Sequence, residues 1–135
     1  MILKVTETTT VKELQEEFGK RFPFLKIELY TKPHEEGEGT NPKYQLAHDV
    51  TIGDATGTSK KGVIEVNSLT KVSELEQQFQ DIFDISAQVF RKNGDYWIQT
   101  TATDSWTLGE QNSRARESMG IAATEDEPED YREQE

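Results

Sequence analysis

A repeated pattern of residues is the feature that most constrains how this chain folds. Residues 3–22 align with residues 64–83, and seven of these 20 aligned positions hold the same amino acid. The identical pairs are Val5/Val66, Thr9/Thr70, Val11/Val72, Glu13/Glu74, Leu14/Leu75, Phe18/Phe79 and Phe22/Phe83. A match of this length predicts two related structural units, which we place at residues 1–58 and 62–118.

Each unit has the sequence pattern of a β-α-β-β arrangement. A short alternating apolar strand comes first, and the helix after it has apolar residues three or four positions apart, which form a single stripe. These helix residues are Val11, Leu14, Phe18 and Phe22 in the first unit and Val72, Leu75, Phe79 and Phe83 in the second. Since one unit is too small to bury a core alone, we expect one α+β domain, with one mixed sheet and the helices mainly on one face.

Several helix ends can be placed from local signals. Thr10 and Glu13 form the pattern of a capping box, and Pro23 predicts the end of the first helix. In the second unit Thr70 is a candidate cap. The Thr-Leu-Gly-Glu sequence that begins at Thr107 predicts a short final helix to about residue 117.

The second unit contains a β-hairpin whose turn we place at Asn93-Gly94. This dipeptide favours a type I′ turn, in which both central residues have positive φ. A two-residue turn there predicts Phe90 opposite Trp97. The corresponding connection in the first unit covers about residues 32–43, whose Gly, Pro and Glu content is typical of a mobile loop.

One face of the predicted sheet is a candidate binding surface. The hairpin alternation and the alignment of the two units give it five residues: Tyr30, Phe90, Trp97, Gln88 and Gln99. Exposed aromatic residues on a sheet often mark a partner surface. Cross-strand aromatic pairs also stabilise hairpins by about 0.2–1 kcal/mol without binding anything. A helix or the long loop covering this face is a further alternative.

Charge and composition restrict the partners. The formal net charge is -11, and residues 125–135 contribute -6 of it through seven acidic side chains and one Arg. We therefore expect no binding to duplex nucleic acid or to membranes, and a protein partner of basic character fits better. We expect residues 119–135 to be a disordered acidic tail.

The sequence carries no pattern of a signal peptide or a membrane span, so we expect a cytoplasmic protein. Cysteine is absent, which excludes disulfides, thiolate nucleophiles and cysteine zinc sites. His34 and His48 lack the spacing of metal ligands. No catalytic, cofactor-binding or metal-binding residue is assigned, and the oligomeric state does not follow from the sequence.

Five segments resemble small conserved bacterial proteins of unknown function: TVKELQ at 10–15, KPHEEGEG at 32–39, KVSELE at 71–76, AQVFRKNG at 87–94 and WTLGEQN at 106–112. The resemblance covers about residues 1–117 and implies no functional residue. A looser likeness to the β-grasp, ubiquitin-like fold rests on the order of elements, and it gives an alternative architecture. The chain lacks the Gly-Gly ending of conjugated ubiquitin-like proteins, so conjugation and sulfur-carrier chemistry are not expected.

These observations predict a non-enzymatic protein-interaction module, an adaptor or inhibitor-like protein that binds through the open sheet face and the hairpin loops. The alternative is a small-molecule-binding protein or small enzyme with a pocket between the two units. A third hypothesis is single-stranded nucleic-acid binding by stacking on the aromatic residues. The net charge makes this third hypothesis the least favoured.

Overall fold

The computed structural model describes residues 1–31, 42–57 and 61–120. Most of the predicted mobile loop at 32–43 lies outside these residues. So does the predicted disordered tail, apart from residues 119 and 120.

The described part contains five strands and four α-helices. In chain order they are β1 (Ile2–Val5), α1 (Val11–Arg21), β2 (Leu25–Tyr30), α2 (Ile52–Thr56), β3 (Gly62–Glu65), α3 (Val72–Phe83), β4 (Ser86–Asn93), β5 (Tyr96–Gln99) and α4 (Leu108–Ser118). Two single turns of 3-10 helix, Pro42–Tyr44 and Thr101–Thr103, complete the set. The predicted α+β class is confirmed.

The strands form two antiparallel sheets, so the prediction of one mixed sheet was wrong. The first sheet pairs β1 with β3, and the second has the order β2-β4-β5. In the first sheet Leu3 lies opposite Ile64, and in the second Glu28 lies opposite Gln88. The first strands of the two halves, β1 and β3, pair with each other in one sheet. The strands that follow α1 and α3, namely β2 and β4, pair with each other in the other sheet.

One hydrophobic core joins both halves. The eight apolar residues predicted on the two helix stripes are all buried. Phe18 packs against Phe22 with a centroid separation of 5.3 Å, and Phe79 packs against Phe83 at 6.4 Å. Full burial of one such ring contributes roughly 1.5–3 kcal/mol. Among the described residues the buried apolar side chains form a single cluster with members from both halves.

Most helix ends agree with the sequence. Thr10 and Glu13 form the predicted capping box, and α1 ends at Arg21, before Pro23. The final helix begins after Thr107 and ends at Ser118, close to the expected position. The prediction that Thr70 caps α3 was wrong. Lys71 is the N-cap residue, and the Thr70 hydroxyl accepts from the Asn67 N–H.

The two halves make corresponding backbone contacts. The Ile52 N–H donates to the Thr9 carbonyl at 2.8 Å, and the Leu108 N–H donates to the Thr70 carbonyl at 2.8 Å. The first half has no third strand among its described residues, and only an isolated bridge joins Tyr30 to Gln45. A common origin of the halves stays a hypothesis.

The hairpin turn lies one residue later than predicted. Asn93 pairs with Tyr96, so the loop residues are Gly94 and Asp95. Gly94 has a φ of 63°, and Asp95 is not among the residues with positive φ. Positive φ at the first loop position alone fits a type II′ turn, which requires glycine there. The partner of each β4 residue therefore shifts by two, which leaves every side chain on its predicted face.

Candidate functional site

One corner of the three-stranded sheet exposes aromatic and cationic side chains together. The register places Lys26 opposite Phe90, Phe90 opposite Gln99 and Lys92 opposite Trp97. Because side chains alternate along each strand, these five residues share one face. We call Lys26, Phe90, Lys92, Trp97 and Gln99 the Trp97 surface.

Two lysines flank the Trp97 ring. Lys26 Nζ lies 5.1 Å from the ring centroid and Lys92 Nζ lies 5.0 Å from it. Lys26 Nζ also lies 5.2 Å from the Phe90 centroid. These distances fall within the range of cation–π interactions, each worth roughly 0.5–1 kcal/mol at an exposed site. Trp97 remains 37% exposed.

Two of the five predicted binding residues are not accessible. Tyr30 is 2% exposed and Gln88 is fully buried, so the expected open face ends before them. Phe90 is half-buried and Gln99 is exposed. Gln45 bridges to Tyr30 along the edge of β2, so the segment that begins at Pro42 closes this end of the sheet.

A buried carboxylate organises the closed end of the sheet. Glu28 is 4% exposed. Its Oε1 lies 3.0 Å from Gln15 Nε2, 3.1 Å from Gln45 Nε2 and 3.1 Å from His48 Nε2. A buried charge requires such partners because it has left water. Sequence reasoning missed this group, whose signal was one acidic residue inside the apolar strand β2.

The histidines hold no metal cluster in the described residues. His48 contacts the Glu28 carboxylate, and His34 lies outside the described residues. Across residues 1–31, 42–57 and 61–120, no three side chains of His, Asp or Glu gather closely enough to hold a metal ion.

A second aromatic residue with cationic neighbours lies near α4. The Arg91 and Arg114 guanidinium carbons lie 5.5 and 5.6 Å from the Trp106 centroid. Arg91 also donates to Gln111 Oε1 at 2.8 Å. Gln111 is fully buried, and these contacts join α4 to β4. Their geometry is that of a structural contact between elements.

Glu76 of α3 has a perturbed ionisation. Burial and, to a smaller extent, the negative charge of Asp104 together raise the pKa of this carboxyl to about 8. A hydrogen bond from the Val89 main chain opposes this shift and lowers the pKa. Glu76 is therefore largely protonated at neutral pH.

Two shallow depressions are lined entirely by residues of the first half. One, of about 260 Å³, lies between β1 and α1, and the other, of about 500 Å³ and wide open to solvent, follows residues 45–49. Pockets for small molecules typically measure about 300–1,000 Å³ and enclose the ligand. Neither depression lies between the two halves, where the alternative ligand-binding prediction placed its pocket.

No protein family, curated protein or solved structure matches this chain. The resemblance to small bacterial proteins stays a prediction, and the β-grasp alternative gains no support. Among the described residues, none of the helices has both the length and the apolar composition needed to cross a bilayer.

Proposed function

We propose that this protein is a non-enzymatic interaction module, an adaptor or inhibitor-like protein, that binds a protein partner through the Trp97 surface. The observation that carries this proposal is an exposed tryptophan of the edge strand β5 whose ring contacts two lysines. Tryptophan is among the residues most often responsible for binding energy at interfaces.

The local charge favours an acidic segment of the partner. Lys26 and Lys92 are the only ionisable members of the Trp97 surface. The neighbouring Glu28 lies 3.8 Å from Lys26 Nζ, but its carboxylate is buried beneath the surface. A basic partner was expected from the charge of the whole chain, whereas a contact at this surface is governed by charges within about 8–10 Å.

The experiment is a pull-down from cell lysate, followed by affinity measurements with each purified captured protein. The variant Trp97→Thr removes the central ring. Tyr96→Thr is the matched control, because Tyr96 is 74% exposed and its side chain lies on the opposite face of β5. We expect Trp97→Thr to weaken binding about 30-fold or more and Tyr96→Thr to leave it within about twofold.

A second variant keeps the aromatic residues and so protects the test from misfolding. Lys26→Glu/Lys92→Glu reverses both charges of the Trp97 surface, and Lys12→Glu/Lys20→Glu makes the same change on the exposed side of α1. Only the first pair should abolish binding, and circular dichroism should show that both variants are folded. Equal losses in both pairs would contradict the proposal.

Single-stranded nucleic acid also stacks on aromatic residues beside cations. A labelled dodecathymidylate therefore serves as a direct probe at low salt. Saturable binding of this probe that Trp97→Thr removes would overturn the protein-partner assignment.

A further inference from the structure

The two outer edges of the β1–β3 sheet differ in how their main-chain groups are satisfied. Met1 and Val66 exchange two main-chain hydrogen bonds, of 2.7 and 3.0 Å. Antiparallel pairing alternates, so the N–H and C=O groups of Ile2 and Lys4 point away from β3, and those of Val63 and Glu65 point away from β1. We call these outer sides the β1 edge and the β3 edge.

Gln78 of α3 closes the β3 edge at Glu65. Its side-chain Oε1 accepts from the Glu65 N–H at 2.9 Å, and its Nε2 donates to the Glu65 carbonyl at 2.9 Å. One side-chain amide thus makes both hydrogen bonds that a neighbouring strand would make. An occupied edge is protected against pairing with another chain.

The β1 edge has no such closure. The position aligned with Gln78 is Glu17, whose carboxylate cannot donate to a carbonyl and which instead accepts from Lys20 Nζ at 2.9 Å. Among the described residues, no group bonds to the outward N–H and C=O of Ile2 or Lys4. Ile2 is also 58% exposed.

A groove runs along the β1 edge. It is the depression of about 260 Å³ between β1 and α1, and its floor includes the buried Leu3 and Leu14. Glu13 and Glu17 line its helical side, and Lys4 lines its strand side. The groove therefore offers main-chain hydrogen bonds along one side, an apolar floor and carboxylates along the other side.

We infer that the β1 edge binds an extended peptide segment in which basic residues alternate with β-branched apolar residues. The segment adds as a third strand to the β1–β3 sheet, which is a common mode of peptide recognition. Its Arg or Lys stems lie over Leu14, with their charges at Glu13 and Glu17. Its apolar residues lie beside the exposed Ile2.

Charge selects this occupant over a second copy of the chain. Two copies joined at the β1 edge would bring the Glu13 and Glu17 carboxylates of both helices together. Each copy also carries a net charge of -11, and this repulsion opposes self-association. The site lies on the sheet other than the one that carries the Trp97 surface, so the two proposals fail or succeed separately.

The test is fluorescence anisotropy with a labelled heptapeptide of alternating Val and Arg, titrated with the full chain. Glu17→Gln places at the β1 edge the amide that closes the β3 edge, and Glu17→Ala removes the charge without supplying the amide. We expect Glu17→Gln to weaken binding about tenfold more than Glu17→Ala does. Equal losses would show that charge alone acts there and would overturn the inference.

A second variant tests the main-chain contact directly. Lys4→Pro removes the outward N–H and leaves the β1–β3 ladder intact, because proline is tolerated where the N–H faces away from the partner strand. We expect a folded protein that binds the heptapeptide at least about tenfold more weakly. Trp97→Thr should bind it like the wild type.

Two outcomes overturn the inference. One is that folded Lys4→Pro binds the heptapeptide as tightly as the wild type does, or that neither of these two proteins binds it. The other is a wild-type dimer, measured by sedimentation equilibrium, that Lys4→Pro converts to a monomer. The second outcome would assign the β1 edge to a second copy of the chain.

Discussion

The two halves of the molecule share a backbone pattern but exchange glutamate and glutamine at four aligned positions. Glu16 and Gln77 are both exposed, and the other three pairs are Glu28/Gln88, Gln15/Glu76 and Glu17/Gln78. The side chains in each pair have the same shape and differ in one terminal group, which is NH₂ in glutamine and an oxygen in glutamate. The comparison teaches that this one group decides which strand edge is closed and where a carboxylate is buried.

The Glu28/Gln88 pair predicts the largest effect on the free energy of unfolding. Glu28 and Gln88 lie opposite each other. The carboxylate of Glu28 has partners on three residues through Oε1, whereas Gln88 Oε1 has no hydrogen-bond partner within the described ranges. We expect Glu28→Leu to lower the free energy of unfolding by about 2–3 kcal/mol, because its donors lose their acceptor.

The matched substitution Gln88→Leu should change the free energy of unfolding by less than about 0.5 kcal/mol, because it removes one unpaired oxygen and one amide donor. Urea denaturation measures both variants. Equal destabilisation by the two substitutions would break the comparison, since it would show that shape rather than hydrogen bonding matters at this pair.

The Gln15/Glu76 pair predicts that stability depends on pH. Glu76 binds its proton more tightly in the folded protein, because its pKa is raised from 4.5 to about 8. Between these two values the folded state holds more protons than the unfolded state, so stability falls as pH rises. The slope has an upper limit of about 1.4 kcal/mol per pH unit, and partial exposure to solvent reduces it.

Glu76→Gln places at this position the amide that Gln15 has in the first half. We expect it to flatten the decline of the melting temperature between pH 5 and pH 8. Glu74→Gln is the control, because Glu74 lies on the same helix and is exposed. A decline that Glu76→Gln leaves unchanged would contradict the role of this carboxyl.

The fold was largely predictable because its signals are local and periodic. The spacing of Phe18 and Phe22, and that of Phe79 and Phe83, located both helix stripes in the core. The pairing of the strands into two sheets was not predictable, because it depends on contacts between the halves. The hairpin turn was misplaced by one residue, since Gly94 satisfies either a type I′ or a type II′ turn.

The candidate site was predictable only in part. Alternation along the strands identified Phe90, Trp97 and Gln99, which lie on the accessible corner of the sheet. Tyr30 and Gln88 share that face but lie at its covered end. No local sequence pattern predicts that this end of the face is covered, because the covering requires Gln45 and His48 to contact Glu28, which is distant in sequence.

The Glu17/Gln78 pair predicts the smallest effect and tests the comparison most directly. The measurement is hydrogen exchange of the Lys4 and Glu65 amides, made by NMR on the wild type and on the exchange variants Glu17→Gln and Gln78→Glu. We expect the Glu65 amide to be protected about three- to tenfold more than the Lys4 amide, the effect of one hydrogen bond of roughly 0.5–1.5 kcal/mol. Glu17→Gln should raise protection at Lys4, and Gln78→Glu should lower it at Glu65. Equal protection in the wild type, or protection that neither substitution changes, would contradict the account of an edge that is closed at Glu65 and open at Lys4.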